Sequence, residues 1–248
     1  MSTSKKTTES KKTTEGVTIQ IARLDLTTLD VRIRGKQPLV MHRFAARPRE
    51  VMLDKQMGNK KLTREPKNPV QCCMDAAHII CGDADHPDQA FGGVLSEIPD
   101  KIMLEEKGRA TLTEFFRTHT FGFPVTGIKA AMIGSARNLD VHMTELRPTM
   151  YLRGIMNPFG DDLAELAFTT AYMREDVVRI GQNKTDLRFR PQFNDWTLSF
   201  MAEINEEALS PANFFNLLER GGMGGIGEMR VAGRNSSGNK GTFEVERS

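Results

Sequence analysis

From Val17 onward apolar and polar residues alternate. VTIQIARLDL and then TTLDVRIRGKQPLVM read as half-buried strands, with Leu29, Val31 and Ile33 on one face and Arg32 and Arg34 on the other. Pro38 ends that ladder or puts it at an edge, because proline has no amide hydrogen to donate. The period then lengthens. PREVMLDKQM predicts a short helix with Pro48 in its first turn, and NPVQCCMDAAHIIC a helix capped by Asn68 with Pro69 in its first turn. The segment between them, GNKKLTREPKNP, reads as a mobile loop. FGFPVTGIKAAMIGSARNL predicts a turn and then a helix starting at Thr126 or Gly127, with a narrow face of Ile128, Ala131, Met132 and Ser135 or Ala136. ELRPTMYLRGIM and LAFTTAYMREDVVRI read as strands. LRFRPQFNDWTLSFMAEI predicts a hairpin turning near NDW, with Trp196, Leu198 and Phe200 alternating. SPANFFNLLERGG predicts a helix capped by Ser210, with Pro211 in its first turn, Phe214, Leu217 and Leu218 buried, and Gly221 closing it. GTFEVER is a last strand. This order predicts an α+β domain: an antiparallel sheet with helices on one face.

Composition narrows the class. A chain of 248 residues can bury a real core, and 39% hydrophobic with 27% charged residues excludes a disordered protein. Residues 1–16, with the near-repeat KKTTES and KKTTEG, predict a disordered basic tail. Residues 17–248 predict a single domain with an insertion at about 45–110. The hydrophobic runs fall well short of the roughly 20 residues of a membrane span, and the N-terminus shows no apolar leader, so no membrane partner is expected. Three cysteines, two of them adjacent, make no disulfide framework and point to a reducing, cytoplasmic setting. The formal charge of +2 sits wholly in the tail. The body is polarised: residues 31–68 hold eleven Lys and Arg against three acids, and residues 83–106 seven acids against one lysine. A polyanion would therefore need a local basic surface.

Candidate chemistry is cationic. Gly222, Gly224 and Gly227 match the letters of a dinucleotide fingerprint, but a helix precedes them and 21 residues follow, which excludes that fold context. Five glycines in seven residues (221, 222, 224, 225 and 227) let backbone approach a ligand, and Arg230, Arg234 and Lys240 follow, so the loop suits a phosphodiester chain or is simply a flexible connection. Lys129 lies in the first turn of a predicted helix, where a cation opposes the dipole, and Arg137 lies two turns on. Arg32, Arg34 and Lys36, then Arg43, Arg47 and Arg49, form a basic row with Phe44 its only nearby aromatic; such a row tracks a backbone or is solvated. The ions of MREDVVRIGQNKTDLRFR read as salt-bridged strands, with Glu175 and Asp176 on opposite faces and so unable to share a metal. Cys72, Cys73, His78, Cys81 and His86 are zinc-type ligands at non-standard spacing; apolar burial of the cysteines is the better account, and no metal or cofactor is expected. No nucleophile-elbow, zincin, Walker or kinase motif is present, so a non-enzymatic role is expected, with His42 as the one candidate base for RNA cleavage.

Three segments, in order, resemble the RAMP superfamily, the RNA-binding proteins that form the backbone of CRISPR effector complexes. They are VRIRGKQPLVM (31–41), FPVTGIKAAMIGSAR (123–137, with Pro124, Thr126 and Lys129 at matching places), and NLLERGGMGGIGEMR through GTFEV (216–245). They cover about a quarter of the chain. Ala130 stands where the family usually has glycine, and the last loop is less basic than usual. The FPVTGIKAAM and DLRFRPQF…W stretches are also similar to bacteriophage and prophage proteins, which implies a viral setting and a bacterial host cytoplasm. The resemblance implies a ferredoxin-like (RRM-like) domain that binds single-stranded RNA or DNA through phosphates, self-assembles into filaments or rings, and joins further subunits of a ribonucleoprotein. An insertion basic at one end and acidic at the other suits head-to-tail contact. The expected contacts are Arg32, Arg34, Lys36, Arg43, Lys129, Arg137, Gly224, Gly225, Gly227, Arg230 and Arg234. The rival expectations are a viral structural or assembly protein that binds no nucleic acid, and an endoribonuclease of the same superfamily.

Overall fold

The alternation around Arg32 is realised as β1 (Leu26–Gly35), which buries Val31 and Ile33 and exposes Arg32 and Arg34. In this computed structural model the described residues are 23–44, 46–58, 66–82, 106–139, 141–180, 184–233 and 238–246. One edge of β1 pairs antiparallel with β10 (Thr197–Asn205), from Leu26↔Asn205 to Arg34↔Thr197. Its other edge pairs antiparallel with β11 (Phe243–Val245). β10 in turn pairs antiparallel with β7 (Asp162–Ala167). The helix α4 (Val125–Ser135) precedes β7, and α6 (Pro211–Gly224) joins β10 to β11. Counting β1, β7, β10 and β11 as four core strands, the spatial order is fourth, first, third, second, with α4 in the crossover from the first to the second and α6 in that from the third to the fourth. That is the ferredoxin-like arrangement of an α+β domain. α4 and α6 pack against each other so closely that a Cβ on Gly221 would sit 3.1 Å from the Met132 nitrogen.

Three connections carry the rest. Between β1 and α4 run β2 (Leu39–Val40), α1 (Ala46–Met57), α2 (Pro69–Asp75), β3 (Ile79–Gly82), α3 (Glu106–Thr118) and β4 (His119–Pro124). β4 and β3 lengthen the main sheet beyond β7. The expected insertion at 45–110 lies within this connection, and its acidic stretch from 83 to 105, like the tail 1–16, lies outside the described residues. Between α4 and β7 lie α5 (Met143–Leu146), β5 (Met150–Arg153) on β10, and β6 (Ile155–Met156) on β7. Between β7 and β10 a long hairpin of β8 (Thr170–Ile180) and β9 (Lys184–Asn194) joins β2 in a second sheet. Phe116, Phe121, Phe168 and Phe193 pack at ring distances of 4.9–5.9 Å and connect the two sheets.

Several sequence expectations change. VTIQIA (17–22) lies outside the described residues. FGFP is the buried strand β4 and not a turn. The helix expected through Cys81 stops at Asp75 and Ile79–Gly82 is a strand, since a short apolar run such as AAHIIC satisfies either period. β9 and β10 form no hairpin, because the chain changes sheets at Asp195–Trp196, with Asp195 at φ 47°. Trp196 is fully buried there and its Nε1–H donates to Gln37 O at 2.8 Å. Ser210 caps α6 as expected, accepting from Asn213 N at 3.3 Å, but the helix runs on to Gly224. Gly221 and Gly222 are packing glycines inside it: a Cβ on Gly222 would lie 2.3 Å from Phe243 O.

Candidate nucleic-acid groove

A groove of about 800 Å³ lies between α4 and the segment that follows α6. Thr126, Gly127, Ala130, Ala131 and Gly134 recur at three- and four-residue steps, so one side of α4 is a smooth wall of small side chains. Pro124 at the N-cap offers no side-chain acceptor to the first turn. Arg137 extends from the 3-10 turn Ala136–Asn138 at the far end of that wall. The opposite wall is Arg220, Met223 and Gly224 on the last turn of α6, then the loop from Gly225 to Ala232 with Arg230. His42, His78 and Phe123 complete the lining.

The glycine loop is tightly held, contrary to a flexible connection. Gly225 caps α6 at φ 73°. Gly227 follows at φ 74°, where a Cβ would meet Val40 O at 2.5 Å. Ile226 N donates to Gly241 O, Glu228 N to Val40 O and Ala232 N to Gly224 O, each at 2.9 Å. These glycines are required by the protein's own backbone, and the close approach serves to hold the groove wall in place.

Its charge is unevenly balanced. Arg137, Arg220 and Arg230 are exposed and pair with no carboxylate among the described residues. Arg230 Nη1 donates to Gly227 O at 2.8 Å, which orients its guanidinium. Among the described residues Glu228 is the one carboxylate lining the groove. Behind it Arg190, 1% exposed, places Nη2 3.6 Å from Glu228 and Nη1 3.3 Å from Asp176. Burial lowers the pKa of His78 to about 4, assisted by the charges of Arg43 and His42 and opposed by Asp161. Partial burial and then Arg190 lower that of His42. Both imidazoles are therefore neutral at pH 7, and the arginines carry the positive field.

Of the expected contacts, Arg137, Gly224, Gly225, Gly227 and Arg230 meet in this groove. Others lie elsewhere. Arg32 pairs with Glu246 at 2.9 Å on the exposed face of β1, where Arg34 also lies, and Lys36, just past the end of β1, pairs with Glu244 at 3.0 Å. Lys129 turns away to donate to Met150 O at 2.7 Å, tying α4 to β5. Arg43 lies over the Phe159 ring at 4.7 Å. Arg234 lies outside the described residues. Arg220 was missed; its signal was its place three and four residues before Met223 and Gly224 on one helix face. The salt-bridged reading of the hairpin holds: Arg174 and Arg190 share Asp176, and Lys67 pairs with Asp186. Cys73 is buried, Cys72 partly so and Cys81 exposed, and no group of three metal-ligating residues occurs among the described residues. No described helix is long and apolar enough to cross a membrane.

No family model matches the sequence, and no curated protein matches it. Among solved structures, a chain of the cryo-EM structure of the Type III-B Cmr-beta bound to cognate target RNA superposes with a TM-score of 0.39 at 10% identity. The match covers 90% of this chain and 59% of that one, so this chain spans little more than half its length. A likeness at that score concerns the course of the chain and carries no functional argument.

Proposed function

We propose that the protein binds single-stranded nucleic acid, RNA in the first place, by its phosphate backbone and without catalysing a reaction. The supporting observation is the groove itself: three arginines from separate segments converge on one channel without carboxylate partners among the described residues. Exposed, unpaired guanidiniums contribute by releasing counterions from a polyanion, whereas ion-paired Arg32 and Lys36 would have to give up their acids first. The segments that carry the RAMP resemblance support RNA as the ligand. Residues 123–137 build one wall, residues 216–230 the other, and residues 31–41 lead directly into His42. On this reading several copies line up along one strand in the cytoplasm, alone or with further ribonucleoprotein subunits, in a cellular or phage setting.

Fluorescence anisotropy with labelled single-stranded RNA tests it. Binding that weakens steeply with salt and is lost on Arg137→Ala, Arg220→Ala and Arg230→Ala together supports the proposal; no binding leaves the structural or assembly role. Sedimentation with and without RNA reports on assembly, and a monomer under both conditions removes that part. One observation favours the endoribonuclease: His42 lines the same groove. Cleavage of labelled RNA that disappears in His42→Ala would establish it.

A further inference from the structure

The groove that gathers the three arginines is also lined by a carboxylate, Glu228. A carboxylate repels phosphates, so a surface that only grips a sugar–phosphate chain gains nothing from it. Its position is firmly set. The Glu228 N–H donates to Val40 O at 2.9 Å. It is flanked by Gly227 at φ 74° and Met229 at φ 57°, two left-handed positions that fix the direction of the backbone. Arg190 stands behind it, 1% exposed, with Nη2 3.6 Å from the carboxylate and Nε without a hydrogen-bond partner among the described residues. The Glu228 side chain remains 38% exposed, and the residue is part of the groove lining.

Resting on the reading of the groove as a single-strand site, we propose that Glu228 reads a base and selects guanine at one position of the bound strand. A carboxylate offers two acceptors side by side and no donor. Guanine is the base whose pairing edge presents two adjacent donors, N1–H and the N2 amino group. Uracil presents one donor between two carbonyls that repel the carboxylate. Adenine and cytosine each present one amino group beside a ring acceptor. Unpaired bases in a single strand expose these edges, which is how single-stranded RNA is read. The arginines hold the strand, and Glu228 selects within it.

The test is anisotropy of the full chain with equal-length oligonucleotides of U alone, alternating U–C, alternating C–A and alternating U–G. The U–G strand is expected to bind about tenfold more tightly than the others, as one bidentate contact to a base provides. Glu228→Gln, which replaces one acceptor by a donor, is expected to bring U–G level with the rest. Equal binding of all four strands by the wild-type protein overturns the proposal and leaves the groove reading intact. So does a Glu228→Gln variant that binds every strand more tightly by one common factor with the preference kept, since Glu228 then only offsets Arg190. Failure of every strand to bind removes the groove reading as well. If Glu228→Gln does not fold, the wild-type series decides alone.

Discussion

The buried ion cluster behind the groove yields an asymmetric prediction. Asp176 is 10% exposed and accepts from Arg174 through Nη2 at 2.6 Å and Nε at 3.0 Å, and from Arg190 Nη1 at 3.3 Å. Arg190 is more deeply buried than Asp176 yet less well satisfied, with Nε and Nη2 lacking hydrogen bonds among the described residues. Among the described carboxylates, Asp176→Asn leaves the Arg190 cation with only Glu228, at 3.6 Å and partly solvated. Removing one partner of a buried pair costs 3–5 kcal/mol, and the remaining carboxylate puts this case at the lower end, about 3 kcal/mol. Arg190→Met removes the buried cation itself. Asp176 then keeps Arg174, and Glu228 turns to water, so no buried charge is abandoned; the cost is expected within about 1 kcal/mol. Urea unfolding with comparable m-values for wild type and both variants measures the difference. An Arg190→Met penalty equal to or above that of Asp176→Asn would refute the reasoning, because Arg190 would then be a net stabilising contact.

Three further outcomes follow from other sites. Gly222→Ala is expected to lose more than about 2 kcal/mol, since its Cβ would lie 2.3 Å from Phe243 O, whereas Gly134→Ala, with open space around it on α4, is expected to gain roughly 0.5–1 kcal/mol in thermal or urea unfolding. His78 holds its folded pKa near 4, below the 6.5 of the unfolded chain, so the unfolded state binds the extra proton between these values. Stability should therefore fall by about 3 kcal/mol as pH drops from above 6.5 to about 4, and His78→Gln should flatten that part of the profile. Lys129→Met is expected to leave RNA affinity unchanged and to reduce stability by about 1 kcal/mol through loss of its hydrogen bond to Met150 O, measured by anisotropy and urea unfolding together.

Local signals were legible in the sequence where they act locally. Ser210 with Pro211 started α6, and the alternation of Val31 and Ile33 against Arg32 and Arg34 gave β1. Where two segments decide together, the sequence misled. Gly221 looks like a helix stop, yet it is kept small by the Met132 backbone of α4, and the left-handed cap lies four residues later at Gly225. NDW looks like a hairpin turn, yet it carries the chain from one sheet to the other because Trp196 buries itself beneath Gln37. The site divides in the same way. Arg137 and Arg230 stood out by residue type near a helix end and a glycine loop, whereas the convergence of Arg220, Glu228, His42 and His78 on them depends on α4 packing against α6. Arg32 and Lys36 looked like contacts because their partners, Glu246 and Glu244, lie more than two hundred residues away.

The salt dependence of RNA binding tests the groove most directly. Each phosphate neutralised on a single strand contributes about −0.7 to the slope of log affinity against log salt, so three arginines contribute about −2. The variant lacking Arg137, Arg220 and Arg230 is predicted to have a slope shallower than wild type by about 2, while Arg32→Gln with Lys36→Gln leaves the slope unchanged. A slope that stays constant in the groove variant and becomes shallower in the β1 variant would contradict the account.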